Sequence, residues 1–296
     1  MSSSRTKLIA AASLGVLAIA WGAIPLFVRN DVPSTGLVGV RVLFGAIALI
    51  AVAAAMRKLV WPRHRLGRLA LSGALLAAHW VTFFESIKYA SVAVALAILY
   101  IGPIVAAILS GPLLGERVAP RLWMALGVAA TGTLLVVQPW SGGGDQFITG
   151  RGVFMAFLSA ALLAALLLVG KPIALELGGL TMAIGELTIA SVILIVPAAR
   201  AITEFPDQML NFVILGAVFT GLAGYVYWEA MSKLPLAAVS VIMYIEPASA
   251  VIWAAIFLDE VPNLTAWVGV VLVLIGGGVA ASVSAEEEAI GAPATL

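Results

Sequence analysis

Ten apolar runs fill this 296-residue chain almost from end to end, and they leave little choice of fold. They lie at 8–28, 34–56, 69–89, 91–114, 120–140, 150–170, 180–199, 210–232, 235–258 and 263–284. Each is close to the roughly 20 residues that a helix needs to cross a bilayer. Gly, Pro or charged clusters separate them, such as Asn30-Asp31-Val32-Pro33, Arg57-Lys58, Trp61-Pro62-Arg63-His64-Arg65 and Ser141-Gly142-Gly143-Gly144-Asp145. Charged residues make up only 10% of the chain, against roughly 25% in soluble domains, too few to cover a water-soluble globule. In hydrocarbon the backbone must satisfy its own hydrogen bonds, which leaves helices or closed barrels. Barrel strands are far shorter and alternate in polarity, whereas these runs are continuous. The chain is therefore read as an all-α integral membrane protein with ten transmembrane helices. A cleaved signal peptide over Arg5, Lys7 and the first run fits poorly, because such signals have a short apolar core. The tail from Glu286 is polar and is expected to be disordered.

A second feature says how the runs are arranged. Shifted by 144 residues, Glu85 falls on Glu229, Tyr100 on Tyr244, Ile101 on Ile245, Pro103 on Pro247, Leu114 on Leu258 and Glu116 on Glu260. Trp123 then falls on Trp267 and Gly132 on Gly276, with no gap. This is an internal duplication. It divides the chain into an N-terminal segment 1–7, a first five-helix repeat 8–140, a linker 141–149, a second repeat 150–284 and a tail 285–296. With the N-terminus in the cytoplasm, eleven basic residues fall inside and four outside, and the 57–68 loop carries most of the bias. The positive-inside rule thus places both termini in the cytoplasm. Five is an odd number, so the second repeat enters the membrane upside down. Inverted repeats that rock about a midplane site are a transporter architecture.

Polar and kinking residues at that depth are the site candidates. Pro103 and Pro247 lie near the middle of the fourth and ninth spans, where proline removes a donor and kinks the helix. They are a matched pair of hinges or, more blandly, packing kinks. Tyr100 and Tyr244 precede them by three residues and are expected on the same helix face. Each lines a cavity or makes an interhelical hydrogen bond. His79, beside Trp80 in the third span, is a cavity candidate by its depth; its bland role is packing. Trp21 and Trp80 offer flat apolar walls. Glu246 replaces Gly102 of the first copy, and an ionised carboxylate there costs about 2.5–3.5 kcal/mol on insertion scales. It binds an amine, carries a proton or bonds to the break at Pro247. Arg41 is close enough to its helix end to snorkel, and Glu85 and Glu229 are expected to pair with Lys88 and Lys233. The absence of cysteine removes disulfides and thiolate metal sites, two histidines make a multi-histidine metal site improbable, and no cofactor is implied.

Trp21-Gly22, Pro103 with Leu113-Leu114-Gly115-Glu116, and Glu246-Pro247 with Leu258-Asp259-Glu260 occur in an order and spacing that resembles the drug/metabolite transporter superfamily. Within it, the chain resembles the EamA-type exporters, and most of all bacterial exporters of aromatic amino acids. The resemblance implies a multi-pass protein of the bacterial inner membrane. It also implies a central cavity lined mainly by spans 1, 3, 4, 6, 8 and 9, with spans 5 and 10 as scaffold. Four-span relatives carry an acid in span 1; this chain has none there, so their proton-exchange mechanism does not transfer directly. The expected function is export of small organic metabolites, amino acids foremost, by alternating access. The expected partners are a small-molecule substrate and the lipid bilayer, not nucleic acid, and one chain suffices to enclose the cavity. A nucleotide-sugar or sugar-phosphate carrier would want several buried cations, and only Arg41 and Lys171 qualify. A lipid-acting membrane enzyme would need a nucleophile–base or metal set, and neither HExxH nor GxSxG occurs.

Overall fold

The computed structural model describes residues 3–24, 32–90, 92–140, 148–257 and 262–291. The first half holds α1 (Ser3–Trp21), α2 (Ser34–Ala55), α3 (Leu66–Tyr89), α4 (Val92–Leu99), α5 (Ile101–Leu114) and α6 (Pro120–Val137). The second holds α7 (Gly150–Leu177), α8 (Gly179–Ile193), α9 (Ile195–Glu204), α10 (Met209–Gly216), a π-helical turn (Ala217–Leu222), α11 (Ala223–Met231), α12 (Leu236–Met243), α13 (Ile245–Phe257) and α14 (Leu264–Gly291). Among the described residues there is no strand. Eight elements are long and apolar enough to cross a membrane, or nine if α8 and α9, bent by 73°, form one broken span. The helix α1, whose first turns hold Arg5 and Lys7, is not among them.

Several boundaries differ from expectation. The last helix runs on to Gly291, past Glu286, where disorder was expected. The predicted spans 91–114 and 235–258 each break in the middle, at Tyr100 and at Tyr244. The break sits three residues before Pro103 and Pro247. A proline ring clashes with the carbonyl one turn back, so the disruption appears upstream of the ring. Tyr100 and Tyr244 are therefore at the junction of two helices; Tyr100 still shares the cavity face with Pro103, whereas Tyr244 does not share that of Pro247. Asp259 and Glu260, and most of the linker 141–149, lie outside the described residues.

Two of the places where the halves meet show the 144-residue relation directly. At the centre, the rings of Tyr100 and Tyr244 pack tilted against each other with centroids 4.9 Å apart, and the Tyr244 hydroxyl donates to the Tyr100 carbonyl at 2.7 Å. That bond occupies a carbonyl at the break. At one side, α6 crosses α14. Gly269 faces Gly132, where an added Cβ would lie 2.5 Å from the Gly132 carbonyl oxygen, and Gly276 faces Ala125, where it would lie 2.9 Å from that carbonyl. Shifting one of these pairs by 144 gives the other, so the contact is self-complementary, residue i on j and j on i, as at a twofold axis. The helices cross antiparallel, and glycine allows their backbones to touch.

Candidate functional site

A cavity of about 660 Å³ runs between the halves. Its walls come from α1, α2, α3, α4, α5, α7, α8, α11, α12, α13 and the π-helical turn; α6 and α14 contribute nothing to it. The expected scaffold role of spans 5 and 10 agrees with this. Beyond the spans expected to form most of the lining, α2 and α8, from spans 2 and 7, also face the cavity.

The cavity reaches solvent where α3 ends and α4 begins: Lys88 lines it there with Val92, Val32 and Ile24, and the Lys88 side chain is 47% exposed. Lys88 sits 3.6 Å from Glu85, and Arg151 lies 3.9 Å from the other Glu85 oxygen. The opposite end is sealed. Lys171 of α7 pairs with Glu116 at the foot of α5 and donates to the Leu234 carbonyl at 2.6 Å. The second Glu116 oxygen accepts the backbone N–H of Leu236 at 2.9 Å, which caps the start of α12. Met231, Leu234 and Leu236 beside it are fully buried. Glu229 closes the next gap, bonded to Lys233 at 2.6 Å and to the Gly179 N–H at 3.2 Å. The pairing expected for Glu85 and Glu229 is what the structure has.

Most of the sequence-predicted residues converge on the cavity. Trp21, His79, Trp80, Tyr100, Pro103, Glu246 and Pro247 line it. Trp21 donates its indole N–H to the Phe219 carbonyl at 2.9 Å and stacks on Tyr227 at 5.7 Å. The π-helical turn explains the first bond: a π turn shifts the backbone ladder by one residue, and here the Phe219 carbonyl faces α1. Gly22 follows Trp21 because α13 passes too close for a side chain, with Ser249 Oγ 2.0 Å from where a Cβ would sit. His79 is buried and held in a reciprocal pair with Ser159 of α7: its Nδ1 lies 2.9 Å from the Ser159 hydroxyl, which donates to the His79 carbonyl at 3.1 Å. It thus has a packing bond as well as a place in the wall. The Tyr100 hydroxyl reaches the Glu246 carboxylate. Tyr244 is not in the lining; it lies behind the wall, 1% exposed, holding the break in α4–α5.

Arg41 departs furthest from expectation. It does not snorkel. It is 4% exposed, faces the cavity and lays its guanidinium over Trp80, 4.4 Å from the ring centroid, with Phe84 5.7 Å away. Its Nε donates to Thr220 of the π-helical turn at 3.2 Å. The cause is tertiary: α2 packs against α8, α10 and the π turn, so Arg41 points inward, away from lipid. Glu186 is a second residue that sequence reasoning did not place in the cavity. One of its oxygens accepts the Ser72 hydroxyl at 2.9 Å, and the other accepts the Trp228 indole N–H at 2.6 Å. A charged residue deep in an apolar run is a functional candidate by default, and that signal was present for both.

A profile of the EamA-like transporter family matches residues 8–138 and again 150–280, once in each half. The chain belongs to the EamA-like transporter family. Among curated relatives of this EamA-like protein, the uncharacterized transporter YxxF of Bacillus subtilis is 24% identical over 282 residues, covering 93% of this chain and 90% of the relative. Protein RarD of Salmonella typhi is 28% identical over 257 residues, covering 82% and 84%. A solved crystal structure superimposes with a TM-score of 0.75 at 19% identity, over 93% of this chain and 97% of the other, which shows the fold. The EamA-like protein is thus a multi-pass membrane protein whose relatives are bacterial transporters. None of these relatives is named for aromatic amino acids.

Proposed function

We propose that this EamA-like protein exports small organic metabolites, amino acids with neutral or aromatic side chains foremost, from the cytoplasm across the bacterial inner membrane. The observation that carries this reading is the cavity between two related halves, open at one end and latched at the other. Two five-helix repeats, 8–140 and 150–284, cross the membrane in opposite senses and exchange which end is open. The antiparallel, self-complementary contact of α6 with α14 supports the inversion. With both termini cytoplasmic, as the basic loops favour, the open mouth at Lys88 faces outward and the Lys171–Glu116 latch faces the cytoplasm. Pro103 and Pro247 act as the hinges of their halves.

Trp21, Trp80 and Tyr227 supply flat walls for an apolar or aromatic side chain, while Arg41 and Glu246 supply charge. A carrier of phosphorylated sugars is less well supported, because Lys171 is engaged by Glu116 away from the lining and Lys88, at the mouth, is engaged by Glu85, which leaves Arg41 as the buried cation of the lining.

Counterflow in proteoliposomes tests the proposal. Vesicles loaded with unlabelled phenylalanine, methionine or threonine should accumulate the labelled form without a pH gradient, and Trp80→Ala should reduce the rate at least tenfold in protein that remains monodisperse. Exchange that appears only with a pH gradient would make the carrier proton-coupled. No amino-acid exchange under either condition would overturn the substrate class.

A further inference from the structure

The chemistry of the cavity is more specific than its shape. An arginine side chain has five N–H donors in a fixed fork. Among the described residues only the Nε of Arg41 makes a hydrogen bond, to Thr220. The terminal nitrogens have no hydrogen-bond partner among the described residues, and they are not among the sealed-off unsatisfied atoms. Trp80 beneath the guanidinium and Thr220 behind it fix the plane, so the remaining edge of the fork is presented ready-made. Planar, bidentate recognition of a carboxylate is what such a fork does best.

Glu246 lies in the same cavity and interacts electrostatically with Arg41. Yet among the described residues the two make no ion pair within 4 Å, and the Glu246 carboxylate is met by the Tyr100 hydroxyl. Two opposite charges that share a cavity without touching are the arrangement that a bridging ligand needs. Glu186 is different. Both of its oxygens already accept bonds from Ser72 and Trp228 in the wall, so it is a fixture and not a free subsite.

We propose that Arg41 takes the carboxylate of the transported molecule and Glu246 its ammonium group, so that the cavity selects zwitterions over molecules of either single charge. The assignment rests on the amino-acid reading above and deepens it. Selection works by repulsion as well as attraction. A lone carboxylate on Arg41 adds negative charge beside Glu246, and a lone amine on Glu246 adds positive charge beside Arg41. Only a molecule with both groups satisfies both ends.

The test is competition in the counterflow assay with labelled phenylalanine. The competitors are phenylalanine, phenylalaninamide, which lacks the carboxylate, and 3-phenylpropanoate, which lacks the amine. For the unmodified protein, each single-charge analogue should need at least about tenfold higher concentration than phenylalanine, the consequence of one lost charge-assisted contact. Arg41→Gln should remove the preference for phenylalanine over phenylalaninamide and leave 3-phenylpropanoate a poor competitor. Glu246→Gln should do the reverse. Where a variant binds without transporting, quenching of Trp80 and Trp21 fluorescence by the same three compounds gives the same comparison. Folded variants that exchange or bind phenylalanine with the parental order of competitors would overturn the charge assignment and leave the exporter reading intact. A parental protein that exchanges no amino acid, and whose fluorescence responds to none of the three compounds, would overturn both.

Discussion

Glu186 and Tyr244 show how differently two buried polar groups can be used. Glu186 accepts from Ser72 and from Trp228, so it ties α8 to α3 and α11. Glu186→Ala leaves a buried hydroxyl and a buried indole N–H without acceptors, at a cost of about 1–3 kcal/mol. Thermal unfolding in detergent should show the loss, with Glu186→Gln intermediate because it keeps one acceptor oxygen. Tyr244→Phe removes one interhelical bond and keeps the packed ring, so it should cost only about 0.6 kcal/mol, the mean for such bonds in a bilayer. A loss as large as that of Glu186→Ala would mean that the Tyr100 carbonyl depends on this donor. From sequence, depth made Tyr244 a candidate, and the same signal was there to be read at Glu186. Depth does not say which neighbour stands opposite, and that decides whether a polar side chain lines a cavity or pins two helices. Arg41 makes the same point in reverse. Its distance from the helix end pointed to snorkelling, but the side chain meets Trp80 of α3 and Thr220 of the π turn, the latter a contact between positions far apart in the chain.

At the scale of elements, the broken helices were half legible. The prolines announced disruption, and the upstream placement of each break follows from the clash with the preceding turn. The π-helical turn was not legible, since one extra residue in a helical turn leaves no periodic trace in an apolar run. The latch at the foot of α5 was hidden because Lys171 and Glu116 belong to different repeats. It is, however, easily probed, because the chain has no cysteine and a single Ser240→Cys reports access to the cavity floor. Adding Glu116→Gln removes the Lys171 partner and should favour the state open at that end. A membrane-impermeant maleimide applied on the cytoplasmic side should then label position 240 about tenfold faster for each 1.4 kcal/mol by which the latch is weakened. Unchanged labelling in a folded protein would mean that Glu116 only caps α12.

The molecule as a whole was the most legible level. Composition demanded a membrane, and the 144-residue shift marked the halves that the family profile matches separately. How the halves touch was not readable. Glycines are scattered through all the runs, and only the packed structure shows that Gly132, Gly269 and Gly276 form the α6–α14 seam. Gly269→Ala should cost about 1–3 kcal/mol by overpacking against the Gly132 carbonyl, measured as a lower melting temperature, whereas Gly127→Ala on the facing helix α6, with open space beside it, should be near neutral. Orientation is checked in intact cells: the maleimide should reach a cysteine at Arg151 and fail to reach one at Arg68.

The paired tyrosines have a mechanical consequence. Residues that a twofold operation exchanges, and that also touch, lie on the axis itself, so Tyr100 and Tyr244 occupy the fulcrum about which the halves trade places. A fulcrum travels least, and displacement grows with the length of the lever arm. Spin labels next to the tyrosines should therefore report a nearly constant separation, while pairs that straddle one extremity, near Lys88 at one end and near Ser232 at the other, should change in opposite directions.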